Sequence, residues 1–168
     1  MIKTKVCKPN GLKYLGFGFY KSNKYEVIPH KESKVKFKRK LKSLTKRSES
    51  ISLDKRFERL NWLIRGWVNY FKISKMKTFL KLVDEWLRTR IRMIIWKMWK
   101  LPKTRALNLM RCGLNKDEAT KTAYSRKGYY ALARTFQLGS TISKLRLSKP
   151  NKTKERRGLV FALDYYLA

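Results

Sequence analysis

The 168-residue chain carries 43 Lys+Arg against 11 Asp+Glu, a formal net charge of +32, alongside 13% aromatic residues that include five Trp. Like charge at this density repels itself in a compact state and calls for a polyanionic partner, while the aromatic content argues against a disordered basic tail. Cys7 and Cys112 lack CxxC spacing and His30 is the single histidine, which argues against a zinc site; no leader-like or membrane-length apolar run is visible, so a soluble, reduced protein is expected.

The first 30 residues read as a strand pair. Val6, Tyr14 to Tyr20 and Tyr25 to Ile28 are β-prone runs separated by the turn-like Pro9-Asn10-Gly11 and Lys21 to Lys24. Such a fragment is too small for an independent sheet. From Ser33 the period becomes helical, with Ser33 as the expected cap and Phe37, Leu41 and Leu44 on one side. Ser48 to Ser52 breaks this helix. A second runs from about Asp54 to Ile73, with Phe57, Leu60, Ile64, Trp67, Val68 and Phe71 at helical spacing. Ser74 is the expected cap of a long third helix reaching about Lys100, whose stripe is Met76, Phe79, Leu80, Val83, Leu87, Ile91, Ile94 and Met98. Pro102 suits the first turn of a shorter helix ended by Gly113, and Asn115 with Glu118 matches a capping box. Ser125 is expected to open another helix, with Tyr129, Leu132, Ala133 and Phe136 inward, and Gly139-Ser140 a last short one. Residues 148–158 form a basic linker, and Leu159 to Leu167 is expected to pack back on the helices. The fold class is mainly α with a small N-terminal β-hairpin.

Nucleotidyl transfer needs acidic ligands for two metal ions, and only Asp84-Glu85 and Asp117-Glu118 are adjacent acids. Neighbours on a helix point about 100° apart, so these read as solvated acids paired with nearby cations, with Glu118 in its cap. His30 has no partner for nucleophilic chemistry, and Gly16-Phe17-Gly18 lacks the rest of a phosphate loop. No catalytic residue and no metal ligand is assigned.

Binding is another matter. Lys36, Lys38, Arg39, Lys40, Lys42, Lys46 and Arg47 surround the first helix. On the third, Lys81, Glu85, Arg88, Arg92, Trp96 and Trp99 share a face roughly opposite the apolar stripe. Arg and Lys there suit phosphates; Trp96 and Trp99 either stack on unpaired bases or pack under a neighbouring segment, and the usual burial of Trp favours packing. Arg90 falls within the stripe and is expected to pair internally, with an acid on the preceding helix. Gly66 in mid-helix costs about 1 kcal/mol relative to Ala, which implies that another backbone or a ligand approaches closely, beside Arg65 and Asn69.

These stretches carry a family resemblance. Asn61-Trp62-Leu63-Ile64-Arg65-Gly66-Trp67-Val68-Asn69-Tyr70-Phe71 resembles the LN…RGWxNYF signature of group II intron reverse transcriptases. Asp84 to Arg92 (DEWLRTRIR) and Trp96-Lys97-Met98-Trp99-Lys100 resemble its WxRxRxR…WKxWK segment. Lys103-Thr104-Arg105 and Ser125-Arg126-Lys127-Gly128-Tyr129 continue the order of the maturase-specific, or X, domain. Tyr14-Leu15-Gly16-Phe17 resembles the FLGF strand closing the palm, preceded by a KT at Lys3-Thr4. Met98 departs from the family's usual Gln, and Tyr129-Tyr130 is followed by Ala131-Leu132-Ala133 where a Trp-Arg pair is common.

The resemblance implies a palm remnant at 1–30, a helical thumb at 31–100 and maturase-specific helices with a tail at 101–168. The family's YADD catalytic motif is expected N-terminal to Met1. The resemblance also implies a non-catalytic chain that binds structured intron RNA and assists its folding and splicing, with template–primer duplex as a further ligand. The cations of the first helix named above, with Arg65, Asn69, Lys81, Arg88, Arg92, Lys97, Lys100, Lys103, Arg105, Arg126 and Lys127, are the expected RNA contacts; Gly66, Trp67, Trp86, Arg90, Trp96 and Trp99 are expected to be structural. No cofactor is expected beyond Mg2+ brought by RNA or by a polymerase half. The competing readings are the C-terminal half of a split RNA-directed DNA polymerase, partnered by an N-terminal half, and a truncated relic. The expected location is bacterial cytoplasm or an organellar matrix, without membrane attachment.

Overall fold

A computed structural model of the chain describes residues 8–9, 12–21, 24–150 and 158–168. Lys3-Thr4, Val6, Cys7, the turn residues Asn10, Gly11, Ser22 and Asn23, and most of the 148–158 linker lie outside the described residues. The expected hairpin forms: β1 (Phe17–Lys21) pairs antiparallel with β2 (Tyr25–Pro29), in register from Phe17 opposite Pro29 to Lys21 opposite Tyr25. Before it, Tyr14 and Phe17 exchange backbone hydrogen bonds across Leu15 and Gly16, both at positive φ (48° and 84°). That is the mirror-image turn a right-twisted strand pair prefers, and it holds Leu15 in a conformation that favours glycine. The hairpin gains its stability by docking, because two strands alone are marginal. Phe17 stacks on Tyr70 and meets Phe71 edge-on, with ring centroids 5.5 and 4.9 Å apart, and the Lys75 amide donates to the Val27 carbonyl at 3.0 Å.

Three long helices follow: α1 (Lys31–Leu44), α2 (Leu53–Tyr70) and α3 (Lys77–Met98). Their apolar stripes, set by residues spaced three and four apart, bury Phe37, Leu41, Phe57, Leu60, Ile64, Leu80, Leu87 and Ile91 in one core. The caps differ from expectation. His30, not Ser33, caps α1, its Nδ1 accepting from the Glu32 amide, and Ser33 instead donates to the Gly16 carbonyl at 2.8 Å, tying hairpin to helix. Ser74 caps nothing; it is buried before α3, and its carbonyl accepts from the Tyr166 hydroxyl. Ser52 caps α2.

The C-terminal half is built of shorter helices, α4 (Pro102–Arg111), α5 (Lys116–Ala123), α6 (Tyr129–Ala133), α7 (Phe136–Thr141), α8 (Lys144–Ser148) and α9 (Ala162–Leu167). Gly113 ends α4 at φ 90°. The Asn115–Glu118 box does not form: Asn115 is the N-cap of α5 by backbone alone. Ser125 does not open α6, which begins after Gly128; its hydroxyl accepts from the Lys127 amide in the turn before it. Thr135 and Ser143, rather than Gly139-Ser140, cap the next two helices.

Trp96, Leu109, Ala119, Leu132 and Leu138 form a second core, so α3 runs through both. Residues of the last third, Ile142, Leu147, Leu159, Phe161 and Ala162, return to the first core. Two side chains of the long helices clamp this returning tail. Asn61 donates to the Gly158 carbonyl at 2.9 Å and accepts from the Val160 amide at 2.8 Å. Asp84 accepts from the Ala162 and Leu163 amides, both at 2.9 Å, and so caps α9. Asp84 is therefore not the solvated acid its composition suggested; it is 4% exposed. Burial raises its carboxyl above the ordinary carboxylate range, opposed by the two amide bonds. Glu85 faces solvent.

Candidate nucleic-acid interface

Helix α1 buries Phe37 and Leu41 and leaves Lys36, Lys38, Arg39, Lys40 and Lys42 exposed, with Lys46 and Arg47 continuing the series beyond its end. Among the described residues the ion pairs are Lys13–Glu32, Arg56–Glu49, Lys75–Glu26 and Lys144–Asp164. None uses a cation of α1. Exposed cations around the unburied sides of one helix, none of them in an ion pair, are suited to a chain of phosphates. Part of the set is steadied by aromatic faces: the Lys38 ammonium lies 5.4 Å from the Trp86 ring centroid, with the Arg90 guanidinium 5.6 Å from the same ring.

The C-terminal end of α1 is held by cations from elsewhere. Arg90 donates to the Thr45 carbonyl at 2.9 Å, the Thr45 hydroxyl at 3.1 Å and the Lys42 carbonyl at 3.4 Å. Its partners are two carbonyls and a hydroxyl rather than an acid on α2. Arg56, 1% exposed, donates to the Leu44 and Glu49 carbonyls, and Lys97 donates to the Arg47 carbonyl at 3.0 Å. Terminal helix carbonyls carry partial negative charge and lack intrahelical donors, so cations satisfy them twice over. Arg56 was not singled out from the sequence; the available signal was its place four residues before Leu60, beside the apolar stripe of α2.

Arg92 is where the structure departs furthest from the expected RNA face. Its guanidinium turns inward and donates to the carbonyls of Ile142 (3.1 Å), Gly139 (3.2 Å) and Ala133 (3.5 Å). Burial pushes it below the usual guanidinium range, and neighbouring Arg88 adds to the shift. Its donors thus bind the α6–α7 region onto α3, and this geometry gives it a structural role. Arg105 likewise donates to the Trp99 carbonyl at 2.8 Å and lies 4.9 Å from the Trp96 ring centroid. Trp96 is buried and Trp99 half-buried, so both pack. Lys97 keeps an exposed position although its ammonium holds the Arg47 carbonyl. Arg88 is half-buried; Lys81, Lys100, Lys103, Arg126 and Lys127 are exposed. Arg65 and Asn69 are exposed on α2, Arg65 lying 5.9 Å from the Tyr165 ring centroid.

Two expected segments, remote in sequence, meet. The Arg47 guanidinium lies 4.7 Å from the Tyr129 ring centroid, and a cleft of about 400 Å³ between them is lined by Thr45, Arg47, Arg90, Met93 and Gly128 to Tyr130. The cations that follow α1 therefore meet the start of α6 at Tyr129. Trp67 is half-buried and stacks on Phe37 at 4.3 Å. At Gly66 no neighbouring backbone explains the glycine: a Cβ there would have nothing within 4 Å.

Among the described residues no three His, Cys, Asp or Glu side chains gather to hold a metal ion, and no helix is long and apolar enough to cross a membrane. Residues 34–113, spanning α1 to the end of α4, match the family model described as group II intron, maturase-specific domain. No curated protein matches the chain.

Proposed function

We propose, from the match of residues 34–113 to the family model described as group II intron, maturase-specific domain, that the chain binds structured intron RNA through α1 and the cations that follow it to Arg47. The domain implies a maturase-specific function in group II intron splicing. The observation that carries the RNA-binding reading is the set of exposed α1 cations outside any ion pair, around a helix packed by Phe37 and Leu41. Phosphates of a folded RNA lie closer together than those of the unfolded chain. A rigid cationic surface binds the compact RNA more tightly and shifts its population toward that state. Backbone and shape contacts dominate over base reading on such a surface.

Equilibrium binding of the full chain to group II intron RNA and to random duplex of equal length, titrated with salt, tests this. The expected result is affinity that falls steeply with salt and favours the intron RNA. Equal affinity for both RNAs at physiological salt would sink specific recognition, and an absent salt dependence would sink the electrostatic mechanism.

A second reading makes this chain one half of a split reverse transcriptase. What favours it is the N-terminal hairpin, a two-stranded sheet edge fixed to α2 by Phe17 and Tyr70 as though awaiting further strands. Co-expression with a palm-containing half, followed by primer extension, decides between a partner-dependent polymerase and a free-standing RNA binder.

A further inference from the structure

Glycine in a helix interior is a loss that proteins accept for close approach. Gly66 lies in the interior of the 18-residue α2, is exposed, and has open space where a Cβ would stand. The protein itself supplies nothing that a side chain there would hinder. What flanks it is specific. Trp62 and Tyr70 lie four residues to either side, so all three positions share one helical face, with about 12 Å along the axis between the two aromatics. Trp62 is 75% exposed and Tyr70 54% exposed. Gly66 is the notch between them.

The notch opens into a groove of about 530 Å³ between α1, α2 and the Leu15–Gly16 turn, within the size range of small-ligand sites. Its floor is rigid: Trp67 stacks on Phe37, and the Tyr70 hydroxyl is fixed by the Leu15 carbonyl at 2.7 Å. Its opposite wall carries Lys36 and Lys40, also four apart and therefore on one face of α1, and no carboxylate lines the groove. Two exposed aromatic side chains, Trp62 and Tyr70 (the latter stacked on Phe17), thus line the same groove as two ammonium groups. A nucleotide of unpaired RNA presents the matching pair, an aromatic plane and phosphates on either side. An apolar peptide segment would leave both lysines without an anion.

We propose that this groove seats an unpaired nucleotide, its base lodged over Gly66 against Trp62 and its flanking phosphates on Lys36 and Lys40. The site rests on the RNA-binding reading of α1 and deepens it, adding capture of a single-stranded element to a surface that otherwise reads backbone.

The full chain is tested against two RNAs, a hairpin with a single-stranded tail and a blunt duplex of equal length. Gly66→Ala fills the notch with one methyl group while improving the helix, so it is expected to raise the melting temperature by roughly 2–4 °C. The same variant should lose about tenfold or more in affinity for the tailed hairpin, with the blunt duplex and the salt dependence unchanged. Trp62→Leu should repeat the loss, and a tail of abasic nucleotides should bind the parent chain as weakly as a normal tail binds the variants. Unchanged affinity of both variants for the tailed hairpin, with the parent binding it normally, overturns the groove and leaves the α1 reading standing. A parent chain that binds neither RNA overturns both. If Gly66→Leu spares all RNA binding but blocks rescue by a palm-containing half, the occupant is protein and the nucleotide site is refuted.

Discussion

Arg92→Met separates a cation that builds the fold from one that meets RNA. The substitution keeps an apolar stem of similar reach and removes the donors that hold the Ile142, Gly139 and Ala133 carbonyls. The two shorter bonds, at 3.1 and 3.2 Å, are charge-assisted and part-buried, and each such bond contributes about 1.5–3 kcal/mol. The third, at 3.5 Å, adds little. A loss of about 3 kcal/mol or more is therefore expected, which for a chain of this size is roughly 6–12 °C in melting temperature. The comparator is Lys40→Gln on α1, an exposed cation with no ion pair. It should leave the melting temperature within about 1 °C, as surface changes do, and reduce the slope of log affinity against log salt by about 0.7–0.9. Thermal melts and salt titrations of both variants, run below the lower melting temperature, give the comparison. If Arg92→Met melts with the parent and lowers the salt slope as Lys40→Gln does, the inward geometry of Arg92 is wrong and it belongs to the RNA face.

The C-terminal clamp gives two further outcomes. Asp84→Ala leaves the Ala162 and Leu163 amides without their acceptor, and should destabilise the chain by about 2–4 kcal/mol, from roughly 1–3 kcal/mol for each unpaired buried group; limited proteolysis should then cleave first near residue 158, and unchanged protection of the tail would contradict the clamp. Burial raises the Asp84 carboxyl above its unfolded value, so the folded state holds a proton that the unfolded chain has released. That increment of stability is full below the ordinary carboxylate range and is lost as pH rises through the raised value. The stability of the parent relative to Asp84→Asn, from urea melts across this acidic window, should fall with rising pH and then level off; a difference that rises with pH would show that the amide bonds outweigh desolvation.

Amphipathic spacing by itself determined the three long helices, and turn residues marked the hairpin. Phe37 and Leu41, Leu60 and Ile64, Leu87 and Ile91 each repeat at helical intervals, and such a stripe has no stable alternative to burial. The net charge likewise pointed to a polyanion without help from tertiary structure, since the sum of charges does not depend on the fold. Caps were less legible. Ser33, Ser74 and Asn115 are all competent caps, yet Ser33 turned to the Gly16 carbonyl because the hairpin folds back over α1. Only tertiary structure decided which cations are free. Arg88 and Arg92 lie one turn apart with the same chemistry, but the carbonyls that take Arg92 come from segments more than 40 residues away. Asp84 carried a sequence signal that composition obscured, since its position between Leu80 and Leu87 sets it in the buried stripe, but its two amide partners come from the returning tail. Periodicity fixes the face on which a side chain emerges. The partner it meets there is a long-range property, and for Arg92 and Asp84 that partner is main chain, whose carbonyls and amides leave no trace in residue identity.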